Sequence, residues 1–266
     1  MTVHADRLRT AARDVRDGIA NIHVWPTLGW LEIKQRYRRS TLGPFWITLS
    51  TAVVILGMGP LYGRLFNLDL AVYFPFLAVS IVLWTLVSSL IADTCQSFIA
   101  AEGYIKELRL PYTVHVLRIV WRNLIMFGHN LLAVVVVLAI FRPPWNATLV
   151  LVPVGVVLIA ANGVWLGLLL GLLCARFRDV PQVIASLLQL AFFVTPILWQ
   201  PGMMGRHQWL LDFNPLYVFI ELVRAPLLGQ ATQPHLWALA LLLTLVAAAI
   251  SLLFFARFRA RIAYWL

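Results

Sequence analysis

The sequence predicts an all-α integral membrane protein: six transmembrane helices preceded by an N-terminal amphipathic interfacial helix, with both termini cytoplasmic. Three observations predict it. Hydrophobic residues make up 61% of the chain and charged residues only 12%, whereas soluble domains carry roughly 25% charge. Six apolar stretches approach the roughly 20 residues that a membrane span needs. Lys and Arg are also distributed unevenly between alternate connections, and that unevenness orients a membrane protein.

The chain opens on an amphipathic helix. Leu8, Ala12, Val15, Ile19 and Ile22 recur at helical spacing, with the charges of Arg7, Arg9, Arg13, Asp14, Arg16 and Asp17 mostly elsewhere. No short apolar core of a cleavable signal peptide stands at the N-terminus. Pro26 then occupies the first position of a second helix. Trp30, Ile33 and Tyr37 share one face of it, with Lys34, Arg38 and Arg39 largely opposite. A basic helix with an aromatic apolar side lies in the membrane interface. The stretch QRYRRSTLGPFWITL (Gln35–Leu49) carries this helix through a Gly43-Pro44 corner into the first span.

Spans are expected at Pro44–Phe66, Tyr73–Thr94, Val116–Phe141, Ala147–Leu173, Val183–Trp199 and His235–Ala256. The fifth is the shortest, and Thr195-Pro196 kinks it or ends it early. Pro60 and Pro153 fall within spans, which neighbouring helices tolerate. Gly163, Gly167 and Gly171 recur every four residues in the fourth span and offer a close approach to another helix. Between spans two and three, CQSFIAAEGYIKELRLPY (Cys95–Tyr112) is polar enough to leave the membrane, with a short helix ending near Gly103. Between spans five and six, Asn214-Pro215 reads as an N-cap followed by Pro at N1. The helix it starts suits either a re-entrant segment or a plain surface helix. One transmembrane domain thus covers 1–266: interfacial helices over 1–42, the six-span bundle over 43–256 and a cytoplasmic tail over 257–266.

Charge sets the orientation. Seventeen Lys and Arg residues are assigned to one side: eight in 1–40, four to the second-to-third connection, two to the fourth-to-fifth and three in the tail. Arg64, Arg142, Arg206 and Arg224 are assigned to the other. The positive-inside rule places the first group in the cytoplasm. The net charge of +10 then faces headgroups and cytosol, and no nucleic acid is needed to explain it.

Little catalytic chemistry is offered. No Gly-x-x-x-x-Gly-Lys-Ser/Thr phosphate loop occurs, no metal-ligand spacing, and no paired carboxylates within the spans. Cys95 and Cys174 give no reason to expect a disulfide. The polar pair His129-Asn130, with Asn162 and Gln189, reads first as interhelical hydrogen bonding rather than a proton relay. The aromatics of spans one, two and five fit interfacial belts or a path for stacking sugar rings.

RRSTLGPFW (Arg38–Trp46), IKELRLP (Ile105–Pro111), RDVPQVIASLLQLAFFVTPILW (Arg178–Trp199) and NPLYVFIELVRAPLLG (Asn214–Gly229) stand in this order within the six-span plan. Together they resemble the membrane subunit of type-2 ABC exporters, in particular the polysaccharide permeases that export O-antigen, capsule or teichoic acid. The resemblance implies a homodimer around a channel in the bacterial inner membrane, resting on two ABC ATPase subunits that bind ATP and Mg. It implies no cofactor on this chain, and re-entrant helices between spans five and six. By position, Glu32, Arg36, Glu102, Gly103, Tyr104 and Lys106 fall at the ATPase-coupling contact. Phe45, Trp46, Phe192, Phe193 and Trp199 fall on the channel as its aromatics, and Arg36, Arg38 and Arg39 near the phosphates of a lipid-linked glycan or of membrane lipids. A drug or lipid exporter of the same family, or a membrane-embedded lipid-glycan enzyme, is the alternative; the latter needs clustered acidic residues or a metal site, which the sequence lacks.

Overall fold

The bundle is built around one helix, α4 (Leu70–Thr94). A 72% share of its apolar window is buried inside the protein, against 17% for α3 (Phe45–Leu65) and α10 (Pro234–Phe258), whose apolar faces point outward. A computed structural model describes residues 2–38, 40–43 and 45–266, and among them there is no strand. The remaining helices are α1 (Thr2–Ala20), α2 (Trp25–Arg36), α5 (Glu102–Glu107), α6 (Tyr112–Phe141), α7 (Val152–Arg176), α8 (Val180–Val194), α9 (Pro215–Leu227) and α11 (Ile262–Trp265). Among the described residues, five helices are long and apolar enough to cross a membrane: α3, α4, α6, α7 with the turn before it, and α10. The expected fifth span is α8, whose 15 residues rise only about 22 Å.

α4 packs against α3, α6, α7, α8 and α9. The α7 glycines admit it: a Cβ on Gly163 would stand 3.2 Å from Leu90, one on Gly167 would collide with Val116, and one on Gly171 with Ser97. The four-residue spacing thus marks the seam where α7 meets α4, α6 and the turn after α4. Side-chain hydrogen bonds add register: Thr51 Oγ1 donates to Asn130 Oδ1 at 3.1 Å, Thr48 Oγ1 to the His129 carbonyl at 2.9 Å and Asn162 Nδ2 to Thr244 Oγ1 at 2.7 Å. The side chains of Asn130 and Asn162 are therefore engaged in interhelical bonding, whereas the His129 ring bonds the Ile125 carbonyl of its own helix.

α6 has 30 residues, about 45 Å of helix against roughly 30 Å of hydrocarbon. The excess lies at its N-terminal foot, which three other segments grip. Asp14 of α1, buried, accepts from the Thr113 N–H at 3.1 Å and the Tyr112 N–H at 3.2 Å, so it caps α6 from another helix. The same carboxylate pairs with Arg259 beyond α10 at 2.6 Å. Gly29 and Ile33 of α2 bury against the next turn, where a Gly29 Cβ would stand 2.8 Å from the Arg118 carbonyl.

Several expectations change in detail. The buried stripe of α1 is Ala11, Asp14, Val15 and Gly18, while Ala12, Ile19 and Ile22 face outward. Small residues and a capping carboxylate decide this face, because α6 lies too close for isoleucine. Trp30 of α2 is exposed, whereas Ile33 is buried. The short helix begins at Glu102 rather than ending near Gly103, and Pro153 stands in the first turn of α7, not in its interior. Of the four charges assigned to the second-to-third connection, Arg118 and Arg122 are on α6 and nearly buried. Arg224, assigned to the outside, is 1% exposed and paired.

Candidate functional site

At the foot of α6, carboxylates and guanidiniums from three helices form one network. Arg118 pairs with Glu32 of α2 at 3.1 Å, its side chain 4% exposed. Arg122 pairs with the same Glu32 and with Asp93, next to the end of α4, at 2.8 Å. Asn123 donates to Asp93 at 3.0 Å. Two arginines against two carboxylates leave the cluster near neutral, which is the condition for keeping charge out of water. Arg118 also lies over the ring of Tyr104 on α5, 5.8 Å from its centroid. One arginine therefore touches the surface helix α2 and the short helix α5 at once.

α5 itself is displayed. Gly103, Tyr104 and Lys106 are exposed, and no atom approaches within 4 Å of a Cβ on Gly103. Lys106 holds Glu102 at 2.6 Å, one helical turn away. The hydrogen bond and charge of Lys106, with Arg178 beyond it, hold the Glu102 carboxyl below its usual range. Arg36 lines a cavity of about 430 Å³ together with Glu32, Asp93, Gln96, Arg118 and Arg122. Arg38 is exposed. Arg39 and Pro44 lie outside the described residues.

The five aromatics expected on a channel fall into two groups. Phe45 and Trp46 begin α3 and are exposed, with Phe45 edge-on to His129 at 6.0 Å. Phe192 and Phe193 end α8, with Phe192 against Trp84 at 5.5 Å and against Phe193 at 5.4 Å. Trp199 Nε1 donates to the Phe193 carbonyl at 3.1 Å. Among the described ring pairs none joins the two groups.

A second polar centre holds the break after α8. Thr195 to Leu198 are buried yet not helical, so their backbone needs other partners. Arg224 of α9 donates to the Pro196 carbonyl and to Ser80 Oγ of α4, and Tyr73 O–H donates to the Leu198 carbonyl at 2.6 Å. Asn214, the cap of α9, also donates to Thr195 Oγ1 at 2.9 Å. Glu221 neutralises Arg224, which lies 4.5 Å over the Phe76 ring. Most of α9 is buried, against α4, α7 and α10, so it is no surface helix.

Neither centre is evident from local sequence. The first had a trace: Asp93 ends one expected span while Arg118 and Arg122, four apart, begin the next, so opposite charges meet at one level. The second had Glu221 and Arg224 at helical spacing, hidden within a segment read for its apolar content.

The sequence profile of the ABC-2 type transporter family matches residues 24–228, a span that contains both centres. The chain is 28% identical over 195 residues to the O-antigen export system permease protein RfbA of Klebsiella pneumoniae, covering 70% of this chain and 72% of that one. A second Klebsiella pneumoniae protein of the same name is 25% identical over 236 residues, covering 82% and 87% of the two chains. One from Myxococcus xanthus is 29% identical over 194 residues, covering 70% and 72%. The surface helix that clamps the foot of α6, four of the five long apolar helices and the buried α9 fall within the matched span, and this multi-pass membrane protein belongs to the ABC-2 type transporter family.

Proposed function

We propose that this chain is the permease subunit of an ATP-driven exporter that moves a lipid-linked polysaccharide across the bacterial inner membrane. Two copies form the channel, and two ABC ATPase subunits, which bind ATP and Mg, dock beneath them. Relatives named for O-antigen export support this reading of the cargo. The observation that carries the mechanism is the Arg118 bridge between α2 and α5. ATPase closure displaces the exposed α5 and α2. Arg118 and Arg122 pass that displacement to α6 and, through Asp93, to α4. Tighter ATP binding in one state supplies the free energy for the shift.

The same proposal includes a sixth crossing by α8. Asp14 before the first span pairs with Arg259 after the last, so both ends of the chain meet at one end of the bundle, as an even number of crossings requires. α8 rises about 22 Å, and the chain after it turns tightly at residues 195–199, where the Ile197 N–H bonds the Thr195 carbonyl at 2.8 Å. Its buried break has the side-chain partners that non-helical backbone needs at membrane depth. Buried α9 then serves as the re-entrant helix on the far side. The basic connections set both termini in the cytoplasm.

ATP hydrolysis in nanodiscs, with an ABC ATPase subunit co-expressed with this chain, tests the reading. The wild-type complex is expected to couple hydrolysis to export, and Tyr104→Ala and Glu102→Arg to lower export by about tenfold while ATP is still hydrolysed, a loss equal to about 1.4 kcal/mol of coupling. An ATPase that neither co-purifies with the permease nor responds to it defeats the proposal.

A further inference from the structure

At the end of the bundle away from the α6 foot, a cavity of about 370 Å³ lies where α4 begins and α6 and α9 end. Two aromatic rings wall it. Phe141, half-buried, stacks on Phe74 at 5.4 Å, while Phe76 is nearly buried, with Arg224 over one face and the Tyr73 ring stacked at 6.3 Å. Gln200, Gln230 and Arg142 also line it, and no acidic side chain does. Among the described residues Arg142 has no carboxylate within ion-pair distance.

The walls are fixed before any ligand arrives. Arg142 caps α6 in a left-handed conformation, its N–H bonded to the Leu138 carbonyl. Asn146 Nδ2 donates to the Gly229 carbonyl at 2.9 Å, which ties the loop after α6 to the end of α9. Gly229 has φ 73° and sits so close to the Pro144 carbonyl that no other residue fits there.

We propose that this cavity is an outer subsite for one hexopyranosyl unit of the exported glycan, with preference for a unit that carries a carboxylate. An aromatic ring such as Phe141 stacks on the apolar face of a pyranose, planar amides exchange hydrogen bonds with vicinal hydroxyls, and a guanidinium grips a carboxylate in two places. The volume falls in the range of small-molecule sites. The subsite rests on the export reading but lies apart from the five channel aromatics.

Saturation-transfer NMR on the full chain in nanodiscs, with methyl α-glucuronide and methyl α-glucoside as probes, tests it without ATP. Transfer to the glucuronide ring protons is expected, stronger than to the glucoside. Gln230→Ala, at an exposed position, is expected to weaken glucuronide binding about fivefold, as loss of one ordinary hydrogen bond does. Arg142→Asn, which keeps the left-handed turn, is expected to abolish the preference for the acid. Leu245→Ala, on the outward face of α10, is expected to leave binding unchanged. Absence of transfer to both probes, or transfer that these cavity substitutions leave intact, overturns the subsite. Equal transfer to both probes overturns the acidic preference. Because hydrolysis and export are read separately, a chain that couples ATP without binding sugar loses the subsite and keeps the exporter.

Discussion

Arg224 shows how much one buried charge organises. Its guanidinium serves Glu221, Ser80 and the Pro196 carbonyl while covering Phe76. Removing it strands a carboxylate and a carbonyl in an apolar setting. Arg224→Met is therefore expected to cost about 3–5 kcal/mol, read as a lower thermal midpoint of the purified protein in detergent. Arg224→Met combined with Glu221→Met is expected to recover most of that loss, because no unpaired charge is left behind. A double variant as unstable as the single one would show that the Pro196 carbonyl, rather than the ion pair, needs the arginine.

At the level of elements, seams between helices decide the architecture. On α7, Gly167→Leu drives a side chain into Val116 and Thr94, and overpacking of this kind costs about 1–3 kcal/mol. Gly128→Ala on α6, where a Cβ meets nothing, is expected to be neutral or slightly stabilising through helix propensity. The comparison is made by thermal unfolding of the two variants side by side, and equal losses would contradict the seam. The seam was legible in the sequence because small residues at fixed spacing need no knowledge of their partner. The Asn214-Pro215 start of α9 was legible for the same reason, since a cap acts within its own turn. The face of α1 was not: Ala11 and Gly18 carry little hydrophobic signal, and Asp14 counts as polar until the N-terminus of α6 is brought to it. The Glu32–Arg118–Arg122–Asp93 cluster was hidden likewise, because its members come from three segments and each alone resembles an ordinary interfacial charge.

For the whole molecule, the number of crossings is the property from which sidedness follows. In a Cys95→Ala/Cys174→Ala background, Arg178→Cys and Gly202→Cys bracket α8 at exposed positions. With six crossings, a membrane-impermeant maleimide is expected to label position 202 on intact spheroplasts and position 178 only on inverted vesicles. Labelling of both from the same side would leave α8 lying along one leaflet. The length of α6 bears on the molecule as a whole in another way. It is a rod without an internal proline, gripped at its base by α1, α2 and the segment after α10, and carrying Phe141 of the outer cavity at its top. For a stiff rod about 45 Å long, a rocking of about 5° around its midpoint swings each tip by about 2 Å. The base and the outer cavity are thus joined by leverage alone, so the far side of the membrane can answer a push without any residue between them unwinding.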